Sequence, residues 1–500
     1  MSMISAFYSG KSILVTGGTG FMGKVLMEKL LRTSPDLKII YILVRPKAGQ
    51  TLQQRVFHIL NSKHIVKLYT VRSDCMNRNS LSVRGNFLDI QRDLSCPLCQ
   101  HTGRIREKAI QLNVVATQQL LTMASQMEKL EAFIHMSTAF SNCNLKHIDE
   151  VVYSCPVEPN QIIDSLEWLD DSIIEDITPK LIGDRPNTYI YTKALAEILV
   201  KQASGNLNRA IIRPSIVGAT WQEPFPGWVD NLNGPSGIII SIGKGLIRFL
   251  KGTPLAIADI IPVDTVINLT LAAGWYTAVH RPKNTLIYHC TSGTINPCQW
   301  REMGFTIMET FNKVPLERPF RVPAIGMASN RLTNKYWDAV AHRGPAMIFD
   351  VYLRLTGRKP MMTKLMNRLL KTTSMMEYFI SHTWEWSTYN TEVLMLELSP
   401  EDHKIFNFDI RPLNWMEYIE NYVLGIKMYL LKEDMARVPE AKKQFRRIRN
   451  IHYLMNTILF LIAWRLLIAR SQIARNVWFF LVHFCYKFLS YFRASITLKA

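Results

Sequence analysis

Tyr189-Ile190-Tyr191-Thr192-Lys193 spells YxxxK. On a helix an i, i+4 pair shares one face, so the Lys193 ammonium can lie beside the Tyr189 phenol. A free phenol has a pKa of ~10, too high for ready proton transfer at neutral pH, and a neighbouring cation favours the phenolate. The pair therefore suits a general acid, Tyr189, tuned by Lys193. By itself YxxxK arises often on surface helices, so its neighbours decide. His135-Met136-Ser137-Thr138 ends an apolar run upstream, and the Ser137 and Thr138 hydroxyls suit a substrate carbonyl. Asn113, in QLNVVATQQLL, joins this group from another predicted helix.

A second motif supplies a partner for that chemistry. Thr16-Gly17-Gly18-Thr19-Gly20-Phe21-Met22-Gly23 is TGxxGxxG between an apolar run and a helical one. Gly17 permits a tight turn, Gly20 lets backbone approach a pyrophosphate, and Gly23 allows close packing of the helix. The phosphate then sits on the helix N-terminus, where free N–H groups and the dipole favour negative charge. An acidic residue after the second strand would bind the ribose hydroxyls of NAD. This chain has Val44-Arg45-Pro46-Lys47 instead, and the Arg45 guanidinium suits a 2′-phosphate, so the expected cofactor is NADPH. Lys193 can also hold the nicotinamide ribose. Pro214, Ile216 and Val217, in RPSIVG after a later strand, can meet the nicotinamide through backbone groups.

The elements that must position these residues follow from periodicity. Residues 12–18 (SILVTGG) read as a buried strand, 21–32 as a helix with apolar positions at helical spacing, and 39–45 as a second strand. Strand, glycine turn, helix, strand is a βαβ unit, and continuous apolar strands suit a parallel sheet covered on both faces. Beyond it the pattern predicts a helix around 107–127, a strand at 132–138, a helix around 189–203 and a strand at 210–215. From about 220 the text turns Pro/Gly-rich (WQEPFPGWVDNLNGPSG), and a mostly helical region rich in Trp, Met and Tyr fills roughly 350–432.

Five hundred residues exceed one ordinary core. The net charge of +19 alone would suggest nucleic acid or an anionic surface. Its distribution favours the latter: residues 441–500 hold eleven Lys/Arg and no Asp/Glu, interleaved with apolar runs Tyr453–Ala469 and Val477–Phe492. No helix-turn-helix, zinc-finger array or RNA-binding signature is present, and no nucleic-acid partner is expected. A membrane span needs ~20 residues, ~17 at the least, so the first run is a marginal span and the alternative is an interfacial helix or a hairpin. Lys442, Lys443, Arg446, Arg447 and Arg449 precede it, which keeps the N-terminal body cytosolic. Eight irregularly spaced cysteines make no disulfide framework, in keeping with a reducing compartment.

KSILVTGGTGFMGKVLMEKLLRTSPDLKIIYILVRPK, HMSTAFSNCNLKHIDEV, YTKALAE, IIRPSIVGATWQEPFPGWVDN and HTWEWSTYNTEVL together resemble the fatty acyl-CoA reductases, within the extended short-chain dehydrogenase/reductases. The resemblance implies an α/β fold, a Rossmann-type doubly wound parallel sheet with a C-terminal helical domain and a membrane-associated helical tail. The expected division is a dinucleotide-binding domain over 1–270, a connecting region over 271–349, the helical domain over 350–440 and the anchoring tail over 441–500. It implies reduction of a long-chain fatty acyl-CoA by NADPH, through an aldehyde, to a fatty alcohol, on the peroxisomal membrane with the body in the cytosol. Tyr189 would protonate the developing alkoxide, and Ser137 or Thr138 would orient the carbonyl oxygen. A sterol- or sugar-directed reductase fits WQEPFPGWVDN and the helical region less well.

One stretch departs from the family text, about 61–108, including GNFLDIQRDLSCPLCQHTGRIR. Cys96, Cys99 and His101 lack a fourth ligand at finger spacing, so no metal site is expected. The segment reads as a replacement where strands should lie. A strand lost from a parallel sheet leaves neighbours with orphaned groups at ~1–3 kcal/mol each, so a catalytically impaired, membrane-anchored relative is the alternative expectation.

Overall fold

The structure is a computed structural model and describes residues 2–44, 109–203 and 207–497. Arg45 and the whole divergent segment 61–108, with its CxxC and His101, lie outside the described residues.

Strand β1 (Ser12–Val15) leads through the glycine turn into helix α1 (Phe21–Thr33) and parallel strand β2 (Ile39–Ile42), so the βαβ unit forms as its pattern predicts. Its strands are shorter than the apolar runs that encode them. The pair is not covered on both faces as expected: Leu14 of β1 is 46% and Tyr41 of β2 40% exposed. One side of the pair packs into the core through Val15 and Ile40, whereas among the described residues the side bearing Leu14 gains no such cover.

A π-helical turn at Gln111–Val115 runs into α2 (Ala116–Ser125), where a single helix is predicted. Strand β3 (Phe133–Met136) follows, then α3 (Thr188–Gln202), β4 (Arg209–Pro214), β5 (Ile216–Gly218), β6 (Ile260–Pro262), α4 (Val263–His280) and β7 (Leu286–Cys290). Strands β3, β4 and β7 form one parallel sheet with β4 central, and β5 pairs β6 in parallel. Side chains alternate across β4 as a pleated strand requires. Ile211 enters a core with Leu195, Leu199 and Val114, while Ala210 and Ile212 enter a second core with α4. Both faces of the sheet are therefore covered by helices, the doubly wound arrangement. Among the described residues no ladder joins β1–β2 to β3–β4–β7. The expected boundary at 270 falls inside α4, whose following strand β7 completes the sheet.

The C-terminal part is helical as expected, but not all of it is core. In α5 (Gly344–Leu355) an apolar face points outward, with Ile348 73% exposed. Helix α6 (Met362–Ser381) leads to Glu385–Trp386, a short strand paired with His147–Ile148, which stitches this part to the sheet-bearing body. The tail forms α7 (Val438–Arg470) and α8 (Gln472–Thr497). The segment Met435–Arg470 is the one helix among the described residues long and apolar enough to cross a membrane. At ~1.5 Å per residue the 33 residues of α7 exceed the ~30 Å hydrocarbon core. Leu454, Phe460 and Leu466 on it are all more than half exposed, and Trp464 meets Trp478 of α8 edge to face at 5.9 Å.

Candidate active site

Helix α3 starts cleanly because the Asn187 side chain accepts the Ile190 N–H at 3.0 Å, filling an orphan donor of the first turn. That cap fixes Tyr189, Lys193 and Glu197 on one face at successive i+4 steps. Lys193 Nζ lies 6.0 Å from the Tyr189 ring centroid and donates to the Met136 carbonyl at 2.9 Å, at the end of β3. Ser137 and Thr138 come next in the chain, so the ends of β3 and α3 bring the predicted pair and the predicted hydroxyls together. Asn113 joins indirectly: its Nδ2 donates to Thr192 Oγ1 at 3.0 Å, and Thr192 donates to the Tyr189 carbonyl at 2.9 Å. The π turn that carries Asn113 is the kind of helical irregularity found at functional sites.

The electrostatics depart from the sequence-based expectation. Burial pushes the Tyr189 phenol up to about 12 and lowers the Lys193 ammonium to about 8, with Glu197 opposing the latter shift. Lys193 does not draw Tyr189 toward the phenolate. Its ammonium is directed to a carbonyl oxygen, and the low-polarity surroundings disfavour both charges. Tyr189 is thus held as a phenol, the form a proton donor needs.

Glu197 is the residue that sequence reasoning missed. It is buried and accepts the Ser137 hydroxyl at 2.5 Å, the Ser141 hydroxyl at 3.3 Å, and two N–H groups of Arg213 at 2.9 and 2.6 Å. A guanidinium has five donors, and all five of Arg213 are placed: two on Glu197, and the others on Asp149 O, Val151 O and His289 Nε2. For Nε2 to accept, Nδ1 must carry the His289 proton, and Nδ1 sits 2.7 Å from Ser387 O. Burial beside Arg213 lowers His289 to about 3, so the ring is neutral as this requires. A buried ion pair is tolerable when further hydrogen bonds satisfy every remaining group, and here they do. The signal in the sequence was the third member of YxxxKxxxE.

The network separates the two hydroxyls left open by the sequence. A carboxylate only accepts, so the Ser137 proton is committed to Glu197. Thr138 Oγ1 accepts the Phe140 N–H at 3.4 Å, capping the turn Ala139–Asn142, and donates to nothing among the described residues.

Aromatic side chains wall the site. Phe140 meets Phe379, Trp384 and Trp386 edge to face at 5.0–5.6 Å, and Tyr189 and Ile216 pack against this cluster. Trp384 and Trp386 come from HTWEW, which sequence reading assigned only to the family text. Trp384 Nε1 donates to Cys143 O at 2.9 Å, so these side chains are held in place.

The glycine turn has the shape a pyrophosphate cradle needs. Gly17 adopts φ +71°, which only glycine takes readily. A Cβ on Gly23 would lie 2.5 Å from Gly17 O and 2.6 Å from Gly18 Cα, so Gly23 lets the helix seat on the turn itself. Gly20 caps α1 with no side-chain bond, and Thr16, Gly17 and Gly20 are exposed while Thr19 and Met22 are half-buried. Phe21 packs on Trp228 at 5.5 Å, and Trp228 N–H donates to Thr220 Oγ1 at 2.8 Å, just beyond β5. The start of α1 thus sits beside the chain that follows Ile216 and Val217. Between Pro214 and Ile216, Ser215 Oγ is buried with no hydrogen-bond partner among the described residues. A dinucleotide fits these features. Among the described residues no group of three or more His, Cys, Asp or Glu could hold a metal.

A family model for NAD binding, described as "Male sterility protein", matches residues 15–87 and 100–270, and a second of the same description matches 341–433. The unmatched gap, 88–99, is narrower than the 61–108 drawn from the sequence. Fatty acyl-CoA reductase 2 of Bos taurus is 68% identical over 517 aligned residues, and the human protein of that name 68% over 516, each with full coverage of both chains. Fatty acyl-CoA reductase 1 of Xenopus laevis is 52% identical, again over the full length of both. The reductase domain of a nonribosomal peptide synthetase from Mycobacterium tuberculosis superposes with a TM-score of 0.51 at 16% identity, covering 84% of this chain and 92% of that one, and so shares the fold.

Proposed function

We propose that this chain, which belongs to the fatty acyl-CoA reductase family, reduces a long-chain fatty acyl-CoA to the fatty alcohol with release of CoA, using NADPH. The observation that carries the reading is the cluster at the end of β3, where Lys193 lies between the Tyr189 ring and the Met136 carbonyl, Ser137 is tied back to Glu197, and Thr138 is the next residue of the chain.

When bound at the glycine turn, the reduced cofactor supplies hydride to the thioester carbonyl carbon. Thr16, Gly17, Thr19, Gly20, Phe21, Met22 and Gly23 would hold its pyrophosphate. Pro214, Ile216 and Val217 would meet the nicotinamide, Lys193 the ribose, and Arg45 the 2′-phosphate. Thr138 donates to the substrate carbonyl oxygen, and Ser137 keeps that strand end in register by its bond to Glu197. Tyr189 gives its proton to the oxygen as negative charge develops there. The resulting hemithioacetal loses the thiol of CoA, its C–S bond breaking as the C=O bond reforms. With the oxidised cofactor exchanged for a second NADPH and Tyr189 reprotonated from solvent, the aldehyde would take a second hydride at its carbonyl carbon and the Tyr189 proton at its oxygen to give the alcohol. Asn113, through Thr192, steadies the backbone that carries Tyr189.

The order of units supports a dinucleotide-binding domain, a connecting region, a helical domain from about 350 and an anchoring tail from 441. Family resemblance and the cations before the apolar helix support a peroxisomal membrane location with the body in the cytosol. The family match runs to residue 87 and resumes at 100, and favours the reductase over an impaired relative.

Detergent-solubilised full-length protein, given palmitoyl-CoA, should oxidise NADPH and yield hexadecanol, with NADH much less effective. Absence of NADPH binding would sink the proposal.

A further inference from the structure

The helical part that precedes the tail leaves an apolar face uncovered. In α5 the apolar residues Met347, Ile348, Val351, Tyr352 and Leu355 are 54–82% exposed and recur at i, i+1, i+4, i+5 and i+8, one face of a helix. The preceding turns repeat the pattern: Leu332, Tyr336 and Val340 stand four apart and are at least half exposed. Single exposed apolar residues are ordinary, but a contiguous stripe marks a contact surface.

Charge says what covers it. From Arg343 to Lys371 there are seven Lys/Arg and one acidic residue. That residue, Asp350, is buried and accepts the N–H groups of Met361, Met362 and Thr363, so it does not offset the outer cations. Arg343, Arg354, Arg358, Lys359, Lys364 and Arg368 are exposed. An apolar stripe flanked by cations is the signature of a helix lying in the interface of an anionic bilayer. A protein partner of acidic surface would match the cations but not so wide an apolar stripe.

Position agrees. The root of α7 is docked on the body: Ala441 and Phe445 are buried, and Gln444 Oε1 accepts the Arg318 N–H at 3.3 Å. Two residues on, Phe320 meets Phe349 of α5 edge to face at 5.1 Å, and Arg321 donates to Ala341 O at 2.7 Å. The short segment 318–321 therefore ties the base of the candidate span to the helix carrying the stripe.

We propose that α5 and the turns before it form a second, peripheral membrane contact that seats the body on an anionic lipid surface beside its anchor. The inference rests on membrane association through α7, not on the reaction. It is tested with the full chain in phosphatidylcholine vesicles, with or without phosphatidylserine, containing a phosphatidylcholine photoreactive in its acyl chain. Cross-links mapped by mass spectrometry should fall in 347–355 as well as in 453–469. Replacing Arg358 and Lys359 together by Gln should cut labelling at 347–355 about fivefold or more on anionic vesicles, with labelling of α7 unchanged. Ile348→Asp with Val351→Asp should abolish it, again with α7 still labelled. Labelling confined to α7 and α8, equal labelling without phosphatidylserine, or cross-links from 344–355 to a second copy of the chain would each overturn the proposal. No labelling in any helix would overturn the anchor reading as well.

Discussion

Helices α3 and α5 invert each other. In α3 a glutamate and a lysine point inward among apolar neighbours, and Glu197 is closed off by Arg213 with every donor placed. In α5 the apolar side chains point outward while an aspartate is buried. Both sequences have helical periodicity, and both break the rule of apolar inside and charged outside. The break in α3 is resolved within the chain by pairing. That in α5 has no resolution within the described residues and points to something beyond the protein.

The strongest test of the inward side is Tyr189→Phe, which removes the proton donor and leaves the packing. Turnover should fall ~10²–10⁴-fold with NADPH binding retained, read by single-turnover kinetics beside a binding titration. If turnover survives, another group donates the proton and α3 is merely a packed helix.

Next in size is the ion pair. Glu197→Ala leaves a buried guanidinium uncompensated, at ~3–5 kcal/mol, and should lower the thermal midpoint sharply. Glu197→Gln with Arg213→Met, which removes both charges, should recover most of the loss. If the single variant unfolds no more easily than the double, the pair is not the buried unit described. Glu197→Gln alone no longer obliges the Ser137 hydroxyl to donate, since an amide offers it either an acceptor or a donor, so in soluble, folded protein kcat should change more than KM.

Acidity gives a smaller, graded effect. With Lys193 lowered to about 8 by burial, its ammonium is present below that pH and lost above it. The rate should therefore decline as pH rises through about 8. In Lys193→Arg, which cannot deprotonate, the alkaline limb should move to higher pH even where overall activity is reduced. An unmoved limb would assign it to another group.

The smallest effect belongs to the outward side. Val351→Asp in detergent should change thermal stability by no more than ~0.5 kcal/mol, because the side chain is more than half exposed. A large destabilisation would mean that the stripe is core, and the contrast between the two helices would collapse.

Much of this was legible in the chain. TGxxGxxG and YxxxK depend on spacing along one element, and local backbone rules carry such spacing into the structure unchanged: Gly17 takes its positive φ, and Lys193 lies over Tyr189. Legibility failed where a partner comes from far away. Glu197 looks like any helical glutamate until Arg213 and Ser137 meet it, and Trp384 and Trp386 reach the site from some 195 positions beyond Tyr189. Leu14 reads as core because β-rich apolar runs usually are, yet it is exposed on β1.

Which residues share a face, where helices begin, the family and the basic apolar tail can all be read along the chain, since they depend on neighbours a few residues apart. Folding alone settles which hydroxyl keeps its proton, that burial holds Tyr189 as a phenol despite the lysine beside it, and which apolar faces go uncovered among the described residues. Those outcomes depend on desolvation and on partners supplied by remote segments, which no local pattern encodes.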